Sequence, residues 1–146
     1  MRRREFLSVL ASATTWPLTA RAQPTPKIPR IGLLDSSLPR SPEARAAFDN
    51  IRLGFAELGY VDGQNIRFEE RSDRTIEQLP AVASELVGLQ VDVIIALATR
   101  AGRAAQHATS VIPIVVGSMG DPVQDGLVAS LSRPGGNLTG TTFLGP

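Results

Sequence analysis

Residues 91–140 read VDVIIALATRAGRAAQHATSVIPIVVGSMGDPVQDGLVASLSRPGGNLTG. Residues 91–96 (VDVIIA) and 112–116 (IPIVV) are short apolar runs rich in β-branched residues. That composition marks strands buried on both faces of a sheet. Between them, residues 100–108 have helical composition, with Thr99 as the cap. Asp121-Pro122 opens a further helix over 122–131, with Asp121 as N-cap and Gln124 completing a capping box; Arg133-Pro134-Gly135-Gly136 stops it. Two buried strands joined through a helix form a βαβ unit, which is parallel and right-handed in almost every case. Ligand sites in such sheets lie at the carboxyl ends of the strands. Those ends carry Ala98-Thr99-Arg100 and Gly117-Ser118-Met119-Gly120-Asp121.

Outward from this stretch, the same rhythm repeats. Residues 30–35 (RIGLLD) form the first strand. Ser41 and Pro42 suit an N-cap and first helical position. Apolar residues at Ala44, Ala47, Phe48, Ile51, Phe55 and Leu58 recur in steps of three and four, one helical face against the sheet. Gly59 stands at the helix stop. In residues 65–70, Ile66 and Phe68 alternate with Arg67 and Glu69, the pattern of a half-exposed strand near the sheet edge. Thr75 and Gln78 match a capping box, and Leu79, Val82, Ala83 and Leu86 continue an apolar helical face up to Gly88. Pro80 delays or bends the start of that helix. Residues 137–144 form a fifth strand. The expected fold is α/β, an open parallel sheet of order 2-1-3-4-5 with helices on both faces. Its switch point falls between the first and third strands, which sets Ser36-Ser37 beside Thr99-Arg100.

The first 22 residues stand apart. A basic start (Met1-Arg2-Arg3-Arg4), a mildly apolar run too short to span a bilayer, and Ala20-Arg21-Ala22 follow in the order of an export signal cleaved after Ala22. Arg3-Arg4-Glu5-Phe6-Leu7 is similar to the twin-arginine motif, with Arg2 in place of the usual Ser or Thr; general export is the other route. Residues 23–29 form a proline-rich tether, and residues 30–146 form the α/β lobe. Of the chain's 15 basic and 14 acidic residues, 11 and 13 lie beyond residue 22, a net of −2 there. The basic character therefore belongs to the leader, and no basic face suggests nucleic acid. There is no cysteine, hence no disulfide or thiolate metal site.

The strand-end loops hold the candidate ligand-binding residues: Ser36, Ser37, Thr99, Arg100, Ser118 and Asp121. Free amides at the start of the third helix suit a carboxylate, and Asp121 an ammonium group, a pairing that fits an amino acid. Asp121 and Thr99 also have plain roles as caps, and Arg100 as a solvated cation. Catalysis finds no support. Ser118 lies in Val116-Gly117-Ser118-Met119-Gly120, which lacks the first glycine of a nucleophile elbow. His107 falls at the far end of its helix. No glycine-rich phosphate loop follows the first strand, so no catalytic residue, metal or cofactor is expected.

The chain resembles the periplasmic substrate-binding proteins of ABC transporters, in the type I group that includes tryptophan- and phenylalanine-binding members. The resemblance rests on FAELGYVDGQNI (55–66), LPAVASELV (79–87), VDVIIA (91–96), ATSVIPIV (108–115), DPV through GLVASL (121–131) and above all RPGGNLTG (133–140). It implies a solute captured between two lobes, an ABC permease as partner, no enzyme activity and no cofactor. Ser36-Ser37, Ala98-Thr99-Arg100 and Ser118 would be the first-lobe contacts. Arg100 replaces the small residue or proline expected after Thr99. The length matches the N-terminal lobe, with the second lobe absent. Two further readings are a secreted α/β enzyme working at the same loops, and a truncated product without independent activity.

Overall fold

The computed structural model describes residues 27–36, 41–71 and 75–143. Residues 1–22, where an export signal is expected, and Ser37 lie outside the described residues. Five parallel strands stand in the order β2-β1-β3-β4-β5. They are β1 (Arg30–Asp35), β2 (Arg67–Arg71), β3 (Val93–Leu97), β4 (Ile114–Met119) and β5 (Leu138–Thr142). Three α-helices connect them: α1 (Pro42–Glu57), α2 (Leu79–Gly88) and α3 (Ala98–Ala108). The expected order holds, and β2 is an edge strand as its alternation indicates.

Helices cover the two faces unequally. Under α2 and α3 lies the larger core, with Leu34, Leu86, Ile94, Ala96, Ala105, Ile114, Val116 and Leu138 buried. Under α1, the buried set is Ile31, Leu33, Phe48 and Ile66, with Ile51, Phe55, Val93, Ile95 and Leu97 partly buried around it. Phe55 stacks edge-on against Phe68 and Tyr60, ring centroids 5.4 and 5.8 Å apart. Arg52 bridges from α1 to Glu70 of β2 at 2.7 Å.

The structure corrects several expectations. The third and fourth strands are not both buried on two faces: Val115 is 38% exposed, because no described helix covers β4 on the α1 side. Leu58 is 76% exposed, one step beyond the end of α1, where Gly59 (φ 86°) turns the chain away. Strands β2, β3 and β4 each begin two residues later than expected. A 3-10 turn, Ile76–Gln78, precedes α2, and the Thr75 N–H donates to Gln78 Oε1 (3.3 Å), half of the capping box. Pro80 then falls in the first turn of α2, where its missing N–H costs nothing.

The helix expected over 122–131 does not form. Asp121 Oδ1 accepts the Val123 and Gln124 amides at 2.9 and 3.1 Å, as a cap would, but only a turn follows. Gly126 adopts φ 69°, and the Leu127 and Val128 amides both return to the Pro122 carbonyl. The segment is instead pinned to α3. Arg103 Nη2 donates to the Asp125 carbonyl and Gln106 Nε2 to the Leu127 carbonyl, both at 2.8 Å, while Pro122 and Leu127 are buried. Docking by side chains has replaced helical periodicity. Asn137 then closes the crossover: its Nδ2 donates to the Thr109 and Ile112 carbonyls at 3.0 and 2.7 Å.

Candidate functional site

Strand register places the carboxyl ends of β1 and β3 together, with Asp35 opposite Leu97. Ser36 follows the first and Ala98-Thr99-Arg100 the second. Leu97 of β3 also pairs with Gly117 of β4, so Ser118 continues from a strand adjacent to Thr99. Ser36, Thr99, Arg100, Ser118 and Asp121 thus leave the same end of the sheet from three neighbouring strands. Ser36 and Thr99 are half-buried, and Arg100, Ser118 and Asp121 are exposed.

Thr99 is not the cap of α3. The helix starts two residues earlier than expected, at Ala98, with Leu97 in the N-cap position and no side-chain cap. The Thr99 hydroxyl turns toward β4, where Oγ1 accepts the Gly120 N–H at 3.3 Å. Being also a donor, that hydroxyl keeps its proton available to an acceptor. The first turn of α3 leaves backbone amides at its start, with partial positive charge. Arg100 adds an exposed cation beside them.

Two residues here carry backbone strain that the sequence did not signal. Ala98 has φ 71° and Ser118 φ 61°, both left-handed and neither glycine. Such residues cost about 1–3 kcal/mol each and cluster where a site dictates the chain path. Both lie at the carboxyl ends of central strands. A third feature, Asp35, also escaped sequence reading. It is the one buried charged residue among those described, 5% exposed at the end of β1. The apolar run RIGLL reads simply as a strand and gives no sign that its final carboxylate faces inward. Thr141 of β5 joins the group as well, its Oγ1 accepting the Ser118 N–H at 3.4 Å.

Among the described residues no group of three or more His, Asp or Glu could hold a metal ion. His107 is exposed in the last turn of α3, away from these loops. An opening of about 590 Å³ lies at the opposite end of the sheet between Ile28, Arg30, Asp62, Gly63, Arg67 and Phe68. It is wide to solvent, and its polar groups are committed. Arg30 Nη1 donates to the Leu89 carbonyl (2.9 Å), Asp62 Oδ1 accepts the Phe68 N–H (3.1 Å), and Arg67 pairs with Glu69 (3.3 Å). Close by, Asp92 fastens the start of β1, accepting Lys27 Nζ at 2.7 Å and the Arg30 N–H at 2.8 Å. The Lys27 ammonium and the Arg30 amide hold the Asp92 carboxyl below its ordinary range. The polar groups named at that end are thus already paired within the fold.

Comparison with known proteins agrees with this geometry. Residues 40–142 match the family model described as ABC transporter substrate binding protein. A tyrosine-binding protein from Clostridioides difficile is 37% identical over 101 residues, covering 66% of this chain and 29% of that protein. Among solved structures, a ligand-free, open substrate-binding protein with adhesive properties from Clostridium difficile superposes with a TM-score of 0.71 at 30% identity, over 79% of this chain and 39% of that one. A Streptococcus pneumoniae ABC domain in complex with L-Trp gives 0.66 at 30% identity, over 78% and 38%. A conserved domain protein from Vibrio cholerae gives 0.73 at 30% identity, over 82% and 40%. The chain spans about a third of the length of these relatives. Where their descriptions say what they do, they are binding proteins. The family-model match over residues 40–142, on a sheet of order 2-1-3-4-5, places this chain in the ABC transporter substrate-binding protein family.

Proposed function

We propose that this chain supplies the first lobe of an extracytoplasmic solute-binding protein that hands an amino acid or related carboxylate to an ABC permease. The observation that carries the reading is the convergence of Ser36, Thr99, Arg100 and Ser118 at one end of the sheet. Relatives that bind tyrosine and L-tryptophan support an amino acid as the solute class. The solute carboxylate would sit at the first turn of α3, against its amides and the Thr99 O–H. Ser36, Ser37 and Ser118 would line the same wall. Asp121 has one carboxylate oxygen occupied by its turn, so an ammonium group would meet the other. Residues 1–22 would direct export and be removed after Ala22, leaving the mature protein in the periplasm, and residues 23–29 would tether the lobe.

A site of this kind closes two lobes around its ligand by a hinge. Small-molecule sites bury ~70–90% of the ligand, and one lobe offers a single wall. Calorimetry of residues 23–146 against a panel of amino acids should therefore give millimolar or undetectable affinity. The same wall joined to a second lobe should bind tightly, and Thr99→Val there should weaken binding by about 1.5–3 kcal/mol, the loss of a hydrogen bond to a charged group. A micromolar one-to-one complex with the monomeric short chain would contradict the two-lobe reading. Unchanged affinity with Val at 99 would remove Thr99 from the site.

A further inference from the structure

β4 and β5 do not pair evenly. Val116 faces Gly140 and Met119 faces Thr142, so Gly117 and Ser118 together oppose the single residue Thr141. This is a β-bulge, uncommon between parallel strands, and bulges beside functional sites re-aim a side chain. Ser118 absorbs the extra residue by adopting left-handed backbone, φ 61°. A residue pushed out of the ladder loses the regular partner of its N–H. Here the Ser118 N–H donates to Thr141 Oγ1 at 3.4 Å. On the other flank the Gly120 N–H donates to Thr99 Oγ1 at 3.3 Å. Two threonines, from the strand ends on either side of β4, grip the same four-residue segment. Both contacts are long, so their effect is to direct the loop more than to stabilise the fold.

Gly140 makes the arrangement possible. A Cβ there would overlap the Val116 carbonyl oxygen. Its absence lets β5 close onto β4 immediately before Thr141, and the hydroxyl arrives at the Ser118 amide.

We propose that Thr141 is a positioning residue of the solute site, its hydroxyl completing the hydrogen bonding of the bulge and thereby fixing the direction of Ser118. The role rests on the proposed reading of that site. Thr141 acts through Ser118 and needs no contact with solute.

Valine keeps the shape and strand preference of threonine without the oxygen, and serine keeps the oxygen without the methyl. The test is amide hydrogen exchange by NMR on the 146-residue chain and its Thr141→Val and Thr141→Ser variants, without ligand. Exchange at the Ser118 amide should rise about two- to fivefold in Thr141→Val, the size a weak neutral hydrogen bond supports. It should return to the parent rate in Thr141→Ser, with the Gly120 amide unmoved in both. An unchanged Ser118 rate in Thr141→Val, or an equal rise in both variants, overturns the proposal. A second arm titrates L-tryptophan as probe into the same proteins. Weaker binding in Thr141→Val alone supports the positioning role, and equal binding in all three with altered exchange overturns it. Absence of L-tryptophan response in the parent chain is an outcome a single wall allows, and the exchange arm then decides the proposal alone.

Discussion

On the face of the sheet that carries α2 and α3, burial runs from β1 across to β5: Leu34, Ile94, Val116 and Leu138 are all shielded. On the α1 face it ends at β3. Val115 of β4 and its neighbour in register, Thr139 of β5, are exposed there. Val115 and Val116 are adjacent in sequence, yet one is 38% exposed and the other fully buried. Period-two alternation decides which side each takes, but only the presence of a helix decides whether a side is core. The sheet therefore has one continuous hydrophobic foundation and one partial one.

The sharpest way to test that asymmetry is to remove one apolar group from the covered part of the α1 face and one from its open part. Phe48 is the one aromatic ring of α1 that is fully buried, at 1% exposure. Phe48→Ala should cost about 3–5 kcal/mol in chemical denaturation. Val115→Ala, on the open part of the same face, should stay within about 0.5 kcal/mol. A comparable loss at both positions would mean that the α1 face is closed over β4 as well.

Next in size is Gly140. Gly140→Ala places a methyl group against the Val116 backbone. Overpacking of a tight contact costs typically ~1–3 kcal/mol, and here the methyl group meets backbone that cannot swing aside, so the upper end is expected. The loss should be local to the pairing of β4 with β5. Hydrogen exchange should accelerate at Leu138 and Phe143 before it does in β1. Uniform acceleration across the sheet would argue that the two regions are not separable.

The smallest effect belongs to Asp92 at the fastened end. Its carboxyl is held below the ordinary range, first by the Lys27 ammonium, then by the Arg30 amide. A depressed pKa contributes stability that is present above the unfolded value and lost as pH falls through the lower folded one. Asp92→Asn should thus narrow the stability difference between neutral and strongly acid solution. The pair is exposed and screened, so the change should be below about 1 kcal/mol. An Asn variant with an unaltered acid limb would show that the anchor carries nothing.

Much of this architecture was readable from the residues themselves. Apolar spacing over α1 and α2, the β-branched runs of β3 and β4, and Gly59 as a stop are local signals that tertiary packing reinforces. The edge position of β2 followed from its alternation. The failure at 122–131 came from competition. Asp121 does supply capping oxygens, but Gly126 and the carbonyl bonds from Arg103 and Gln106 hold a docked turn in place of a helix. For the candidate site, the loops were legible and their internal mechanics were not. Thr99 looks like a cap, yet its hydroxyl serves the neighbouring loop. Neither Ala98 nor Ser118 announces left-handed backbone, which glycine and occasionally Asn or Asp normally mark. The bulge depends on register against β5, a non-local property that no window of β4 contains.

The central claim is that the carboxyl ends of β1, β3 and β4 form one wall of a solute site while the opening at the amino ends does not. Amide chemical-shift mapping during a titration of the chain with L-tryptophan, carried to its solubility limit, tests this most directly. The account predicts weak, unsaturated shifts concentrated at Ser36, Thr99, Arg100, Ser118 and Asp121, with Arg30, Asp62 and Arg67 unmoved. Shifts centred on Arg30 and Arg67, with the strand-end loops unmoved, would contradict it.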